Sequence, residues 1–177
     1  STSVTEAGST DTFTVVLNAQ PDSDVVLSII SSDTGEATVT SSLTFTSANW
    51  DTAQTVTVTG ADDDLVDGTV SSTTTISVND ASSDNNFDGV ADQTVSVSTT
   101  DDDVAGFTVA ETEGSTGVDE SGTTDTITVV LNAQPDSDVV LSITSSDTGE
   151  ATVKSAVTLT AANWDTRIYA SHSRRDA

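Results

Sequence analysis

Four absences narrow what this chain can do. There is no cysteine, so disulfide staples, thiol nucleophiles and thiolate metal sites are excluded, although the compartment is not fixed by this because a secreted protein can use bound metal instead. His172 is the single histidine, which leaves almost no material for a Ser-His-Asp triad or a zinc centre, and catalysis is not expected. Lysine and arginine number only 4 against 29 acids, a net charge of −25 that repels nucleic acid and anionic lipid. No apolar run reaches the ~18 residues of a membrane-spanning helix, so membrane insertion is not expected. No signal-like stretch or start methionine opens the sequence, and a fragment of something longer is the expectation.

What is present points to strands. Val outnumbers every other apolar residue, and Thr and Ser fill much of the rest, a mixture that suits pleated, half-buried strands and suits helices poorly. Period-two alternation between turn signals predicts strands at Asp11–Asn18, Asp24–Ser31, Ala37–Thr46, Gln54–Gly60, Thr69–Asn79 and Gln93–Thr100, with a further one at Gly106–Ala110. The fold class is all-β. Seven antiparallel strands in about 100 residues is the size of an immunoglobulin-like sandwich, and the first copy, lacking a strand equivalent to Gly106–Ala110, is expected to show six of the seven.

The copies are real. Ser9–Thr52 returns 114 residues later as Thr123–Thr166, with 36 of 44 positions identical, so the chain is a tandem repeat of sandwich-sized units rather than of solenoid coils. The organisation expected is repeat 1 over residues 1–103, a truncated repeat 2 over 104–166, and a non-repeat tail over 167–177.

Charge is unevenly placed. Residues 1–166 hold 28 acids against Lys154 alone. Because each antiparallel strand reverses direction, Glu6, the Asp33 and Glu36 turn, the Asp62, Asp63, Asp64 and Asp67 loop, and Asp101, Asp102 and Asp103 all fall at the end that abuts the next repeat. Such acids are either ordinary soluble turns, with Asp67-Gly68 a hairpin corner, or a cation site. Convergence of four acidic segments at one end favours the cation, since their mutual repulsion needs a bridge. Calcium takes six to eight oxygens from flexible carboxylates and carbonyls, which clustered Asp on converging loops supplies.

These residues resemble the Calx-β repeat. The resemblance lies in a Glu-x-Gly turn before the second strand (Glu6 and Gly8, Glu120 and Gly122), in Ala61-Asp62-Asp63-Asp64, and in the closing Asp101-Asp102-Asp103, which are that family's calcium positions. It covers the chain to Thr166. The wording LTFTSANWDTAQTVTVTGADDD is similar to the long bacterial version in giant cell-surface and type I-secreted proteins. One departure is that the segment after the triple Asp, usually Glu-rich in the family, carries only Asp67. The resemblance implies calcium as cofactor, an extracellular or cell-surface location, neighbouring repeats of the same chain as partners, and a mechanical role as a spacer in an adhesin. The ligand set expected is Glu6, Asp33, Asp62, Asp63, Asp64, Asp67 (as an outer donor), Asp101, Asp102 and Asp103, with Glu120 and Asp147 the matching members of the second copy.

A second candidate calcium loop is Asp84-Asn85-Asn86-Phe87-Asp88-Gly89-Val90-Ala91-Asp92, which fits the start of an EF-hand-type loop through Asp84, Asn86, Asp88 and Asp92 but has Val95 where a bidentate Glu belongs. Its bland alternative is a polar turn that Phe87 anchors to the core. Trp50 and Trp164 occupy one repeat position and read as packed loop anchors. A recognition module for glycan or protein at loop tips is the alternative function, with only Phe87 and Trp50 to serve it.

After Thr52 and Thr166 the copies part abruptly, and three of the four basic residues fall in the last 11. That looks like a frameshift, a fusion junction or appended foreign sequence. The second copy is expected to lack its last three strands, to leave Val129, Leu131, Val139 and Leu141 partly uncovered, and to be covered by a second chain in a dimer, by strand exchange with the first copy.

Overall fold

The computed structural model describes residues 1–111, 114–119, 121–166 and, as backbone, 168–173. The chain forms two compact units, Ser1–Asp63 with Asp67–Asp102, and Asp64–Val66 with Asp103–Ala177.

The first unit is an immunoglobulin-like β-sandwich. Its strands are β1 (Thr2–Thr5), β2 (Thr10–Val15), β3 (Val25–Ser31), β4 (Ala37–Val39), β5 (Ser42–Phe45), β6 (Gln54–Gly60), β7 (Val70–Val78) and β8 (Gln93–Thr100). One sheet runs β1-β8-β7-β3-β5 and the other β2-β6-β4. Every pairing is antiparallel except β1 on β8. Alternation sets the faces: Val25, Leu27 and Ile29 of β3, Phe45, Val56 and Ile76 meet between the sheets, and Val4, Ala37, Val58 and Val97 form a second buried cluster.

Two features differ from the sequence expectation. The predicted Ala37–Thr46 strand is two strands in different sheets: Thr40 N–H still donates to Thr57 O beside β6, whereas Ser41 O already accepts from Ile29 on β3. The first copy also has an eighth strand that alternation did not reveal, β1, because four residues are too few for a periodic signal; it pairs with β8 from Thr2↔Val97 to Thr5↔Thr100. Gly60 is required here: a Cβ on it would lie 2.0 Å from the Thr5 carbonyl oxygen, so only glycine lets β6 pass beneath β1.

The second unit contains β9 (Phe107–Glu111), β10 (Thr124–Leu131), β11 (Val139–Ser142), β12 (Thr152–Val153), β13 (Ala156–Leu159) and β14 (Ile168–Ser173), in sheets β12-β14-β10-β9 and β11-β13. Here the sequence expectation is corrected. Although its residues match nothing in the first copy, β14 pairs with β10 from Thr124↔Ser173 to Val129↔Ile168, the register that β6 holds on β2 from Thr10↔Thr59 to Val15↔Gln54. Backbone hydrogen bonding is indifferent to side-chain identity, so a segment of unrelated sequence takes the place that β6 holds in the first unit. Val129 and Leu131, expected to be partly uncovered, are buried with Val157 and Leu159, while Val139 and Leu141 are half-buried against them, as expected.

Candidate metal centre

The site grows out of the period-two alternation of β1. Thr2 and Val4 point inward and are buried, and Glu6, one residue past the strand, continues the same face. Its N–H donates to Thr100 O at 3.1 Å, which keeps it on the β8 edge, and Gly8 (φ 78°) then turns the chain into β2. An acid is thus delivered to the interior by the same logic that delivers a valine. Glu6 is 1% exposed.

Glu36 arrives from the other sheet. After β3, Asp33 makes an Asx turn, its Oδ1 accepting Gly35 N–H at 3.0 Å, and Ser31 Oγ donates to Asp33 O at 2.8 Å. The Glu36 carbonyl accepts Ala61 N–H at 2.8 Å and the buried Thr99 hydroxyl at 3.4 Å, which pins its backbone between β6 and β8. Its side chain is 6% exposed.

Carboxylate oxygens of Glu6, Glu36 and Asp67 all lie within 4.8 Å of one another, and Glu6 and Asp63 approach equally closely. Asp67 is held in the β6–β7 loop next to Gly68 (φ 80°), whose N–H donates to Asp101 Oδ2 at 2.8 Å. Both Glu6 oxygens and Glu36 Oε2 are buried without any hydrogen-bond partner. Burial, then the charges of Asp63, Asp67, Glu36 and Asp101, pushes the Glu6 carboxyl up to about 7. Glu36 is raised as well, first by burial and then by Asp67, Asp33 and Asp63. Buried polar atoms are otherwise satisfied in folded proteins, and buried charge is paired or coordinated to metal. This donor set of hard carboxylate oxygens on two sheets and one loop could hold a metal ion.

The predicted ligands separate by position. Glu6, Asp63 and Asp67 come together, with Asp101 beside them through Gly68 and Asp33 near enough to raise Glu36. Asp62 and Asp102 are exposed. Asp64 and Asp103 belong to the second unit, where the Asp64 carbonyl accepts Gln134 N–H at 2.7 Å. Asp147 repeats the Asp33 turn, its Oδ1 accepting Gly149 N–H at 3.0 Å. Glu120 lies outside the described residues. Glu36 was missing from the predicted ligand set although the same acidic segment contains it. Alternation gave no signal for it: the strand opens with buried Ala37, so period two alone would turn Glu36 outward; its burial comes from the turn at Asp33 and from the hold of Ala61 and Thr99 on its carbonyl.

In the second candidate loop the structure turns Asp84 inward. Its Oδ2 accepts the N–H groups of Asp22 (2.6 Å) and Ser23 (3.1 Å) and its Oδ1 that of Asn86 (2.9 Å), bonds that hold the carboxyl below its ordinary range. Phe87 packs against the core, and Asn86, Asp88 and Asp92 stand at or near the surface. Trp164 packs on the second unit's core, and the carbonyls of Trp50 and Trp164 accept N–H from Leu17 and Leu131 at 3.1 and 2.9 Å.

No family model matches the chain, and no curated protein matches it. Solved structures do. The structure of SSP-19, an MSP-domain protein like family member in Caenorhabditis elegans, shares 17% identity over 56% of this chain and 92% of its own, at a TM-score of 0.37. The crystal structure of CBD12 from CALX1.2 shares 14% identity over 99% of this chain and 73% of its own, at 0.36. The chemistry of the centre therefore rests on its own residues. Among the described residues no helix is long and apolar enough to cross a membrane.

Proposed function

We propose that the first unit binds calcium through Glu6, Glu36, Asp63 and Asp67, with Asp101 positioning the loop, and that the chain is a structural repeat whose chemistry is coordination rather than catalysis. One observation carries this reading: two glutamates buried at the same place, with three of their four oxygens unpartnered, an arrangement that costs free energy unless a cation compensates it. Calcium suits the all-oxygen donors and the loop-borne, adjustable Asp67 better than transition metals, which favour nitrogen or sulfur. The residue pattern that resembles the Calx-β repeat supports the same ion. A spacer role in an extracellular adhesin or surface protein is the finer reading, supported by the tandem near-identity and the polyanionic body.

Calorimetric titration of the chelator-treated chain with calcium tests the site. Saturable calcium binding that magnesium does not compete away, lost in Glu6→Gln, is the expected result; absence of heat at any calcium concentration overturns it. Stiffening is tested separately by small-angle scattering from a chain of two complete repeats, whose distance distribution should broaden when EDTA replaces calcium.

A further inference from the structure

The two near-identical copies serve as each other's control at one strand. In the second unit β9 lies antiparallel along β10, from Phe107↔Leu131 to Glu111↔Ile127. The equivalent residues of the first copy are Phe13 to Leu17, and among the described residues no strand pairs with them on the side away from β6. β1 lies beside only the start of β2, ahead of Phe13, through Ser3 N–H to Asp11 Oδ2 and Thr5 N–H to Ser9 Oγ. The same sequence TVVL responds differently in the two settings. β10 extends through Leu131, whereas β2 ends at Val15; Val129 is 3% exposed where Val15 is half-buried, and Val16 is 46% exposed.

Beside this edge lies a groove of about 890 Å³ between the two sheets, its walls including Phe13, Val15, Leu27, Val78, Phe87 and Val95. β9 is poorly used where it is. All five of its residues are exposed, Phe107 by 57% and Val109 by 50%, and among the described residues the second unit has no counterpart of β7 and β8. On the β2 edge the same alternating side chains would meet an apolar groove.

We propose that the Phe13–Leu17 edge and its groove accept strand β9 from a second copy of this chain, in the register that β9 holds on β10, giving a reciprocal strand-exchanged dimer. The main-chain geometry fits. Leu17 N–H donates toward the β6 side, to Trp50 O, so alternation turns the amide of Val16 to the open edge. Strand addition to such an edge draws affinity from main-chain bonds and specificity from pockets for alternate side chains. Exchange trades the β9–β10 pairing for an equal one on β2, and what it adds is the transfer of Phe107 and Val109 from solvent to the groove.

The test is the mass of the full chain by light scattering over a concentration series, repeated with Val16→Pro and with excess synthetic peptide Val104–Glu111. Proline removes the outward amide without touching a bond to β6. Expected is a concentration-dependent rise to twice 18.0 kDa, reversed to the single-chain mass by the peptide and, in a variant that retains its strand circular dichroism, by Val16→Pro. A single-chain mass at every concentration, or a dimer that survives the peptide, overturns the proposal. Calcium does not enter this experiment, so its outcome is independent of the metal centre.

Discussion

Glu6 and Glu36 reach one buried point from opposite sheets of the first unit, their carboxylate oxygens within 4.8 Å of each other. Two acids at that separation in a poorly solvated place cannot both ionise without a cost, and each is raised above its ordinary range by burial first and by neighbouring carboxylates second. The pair is a source of instability that a bound cation would convert into a tie between sheets.

Replacing Glu6 or Glu36 by glutamine should therefore act with opposite signs in two media. In EDTA at pH 7.5 either variant is expected to melt several degrees above the parent, because a buried negative charge is gone. With calcium at about a hundredfold excess over its dissociation constant the parent gains about 2.7 kcal/mol, roughly 10 °C or more for a unit of this size, and the variants should lose most of that gain. Differential scanning fluorimetry in both media checks it; a variant destabilised equally in both would mean the glutamates serve packing alone.

The cation-free chain should show an unusual pH profile. A carboxyl whose folded value is raised binds more protons folded than unfolded, so the slope of stability against pH is negative: the contribution of Glu6 is present below about pH 4.5 and is lost as pH rises through about 7. Asp11 and Asp84 work the other way, being lowered by backbone N–H donors, and their contribution is present above the ordinary Asp value and lost as pH falls below it toward the lowered folded value. Melting in EDTA is expected to be highest near pH 5 and to fall toward pH 7.5. A flat or rising profile over that interval would contradict the burial of Glu6.

Gly60→Ala probes how β1 carries the site. The added Cβ meets backbone at Thr5 rather than a movable side chain, so β1 must shift. A loss of about 1–3 kcal/mol is expected from such overpacking, together with weaker calcium binding, since Glu6 is the next residue. Urea melts paired with calorimetric titration separate the two effects; unchanged affinity would show that the position of β1 does not set the centre.

Asp84→Ala should do the reverse. Three backbone amides lose their acceptor, and the loop that seats Phe87 loosens, so stability falls while calcium affinity at the Glu6 centre stays the same. A large fall in calcium stoichiometry instead would restore the second loop as a metal site.

Much was legible from the residues alone. Val56 and Val58 alternate against Thr55, Thr57 and Thr59 so regularly that only one face can be buried, and the predicted bounds of β6 and β8 agree with the structure to the residue. The acidic end also followed from strand parity, because reversal at each turn is a property of antiparallel order. Local turns are equally sequence-determined: Asp33 and Asp147 make the same Asx turn in both units, from the same SSDTGE. What tertiary structure alone decided is which equivalent segments of the two copies become strand. Thr2–Thr5 is a strand because β8 exists to pair with it, while its counterpart at 116–119 is not; Leu131 is in a strand because β9 lies beside it, while Leu17 is not. The same holds for the site: Glu6 and Glu36 are unremarkable acids in the chain, and only the approach of two sheets strips them of water and sets them oxygen to oxygen. Hydrogen-bond partners and desolvation come from residues far away in sequence, so neither is written in the segment that responds to them.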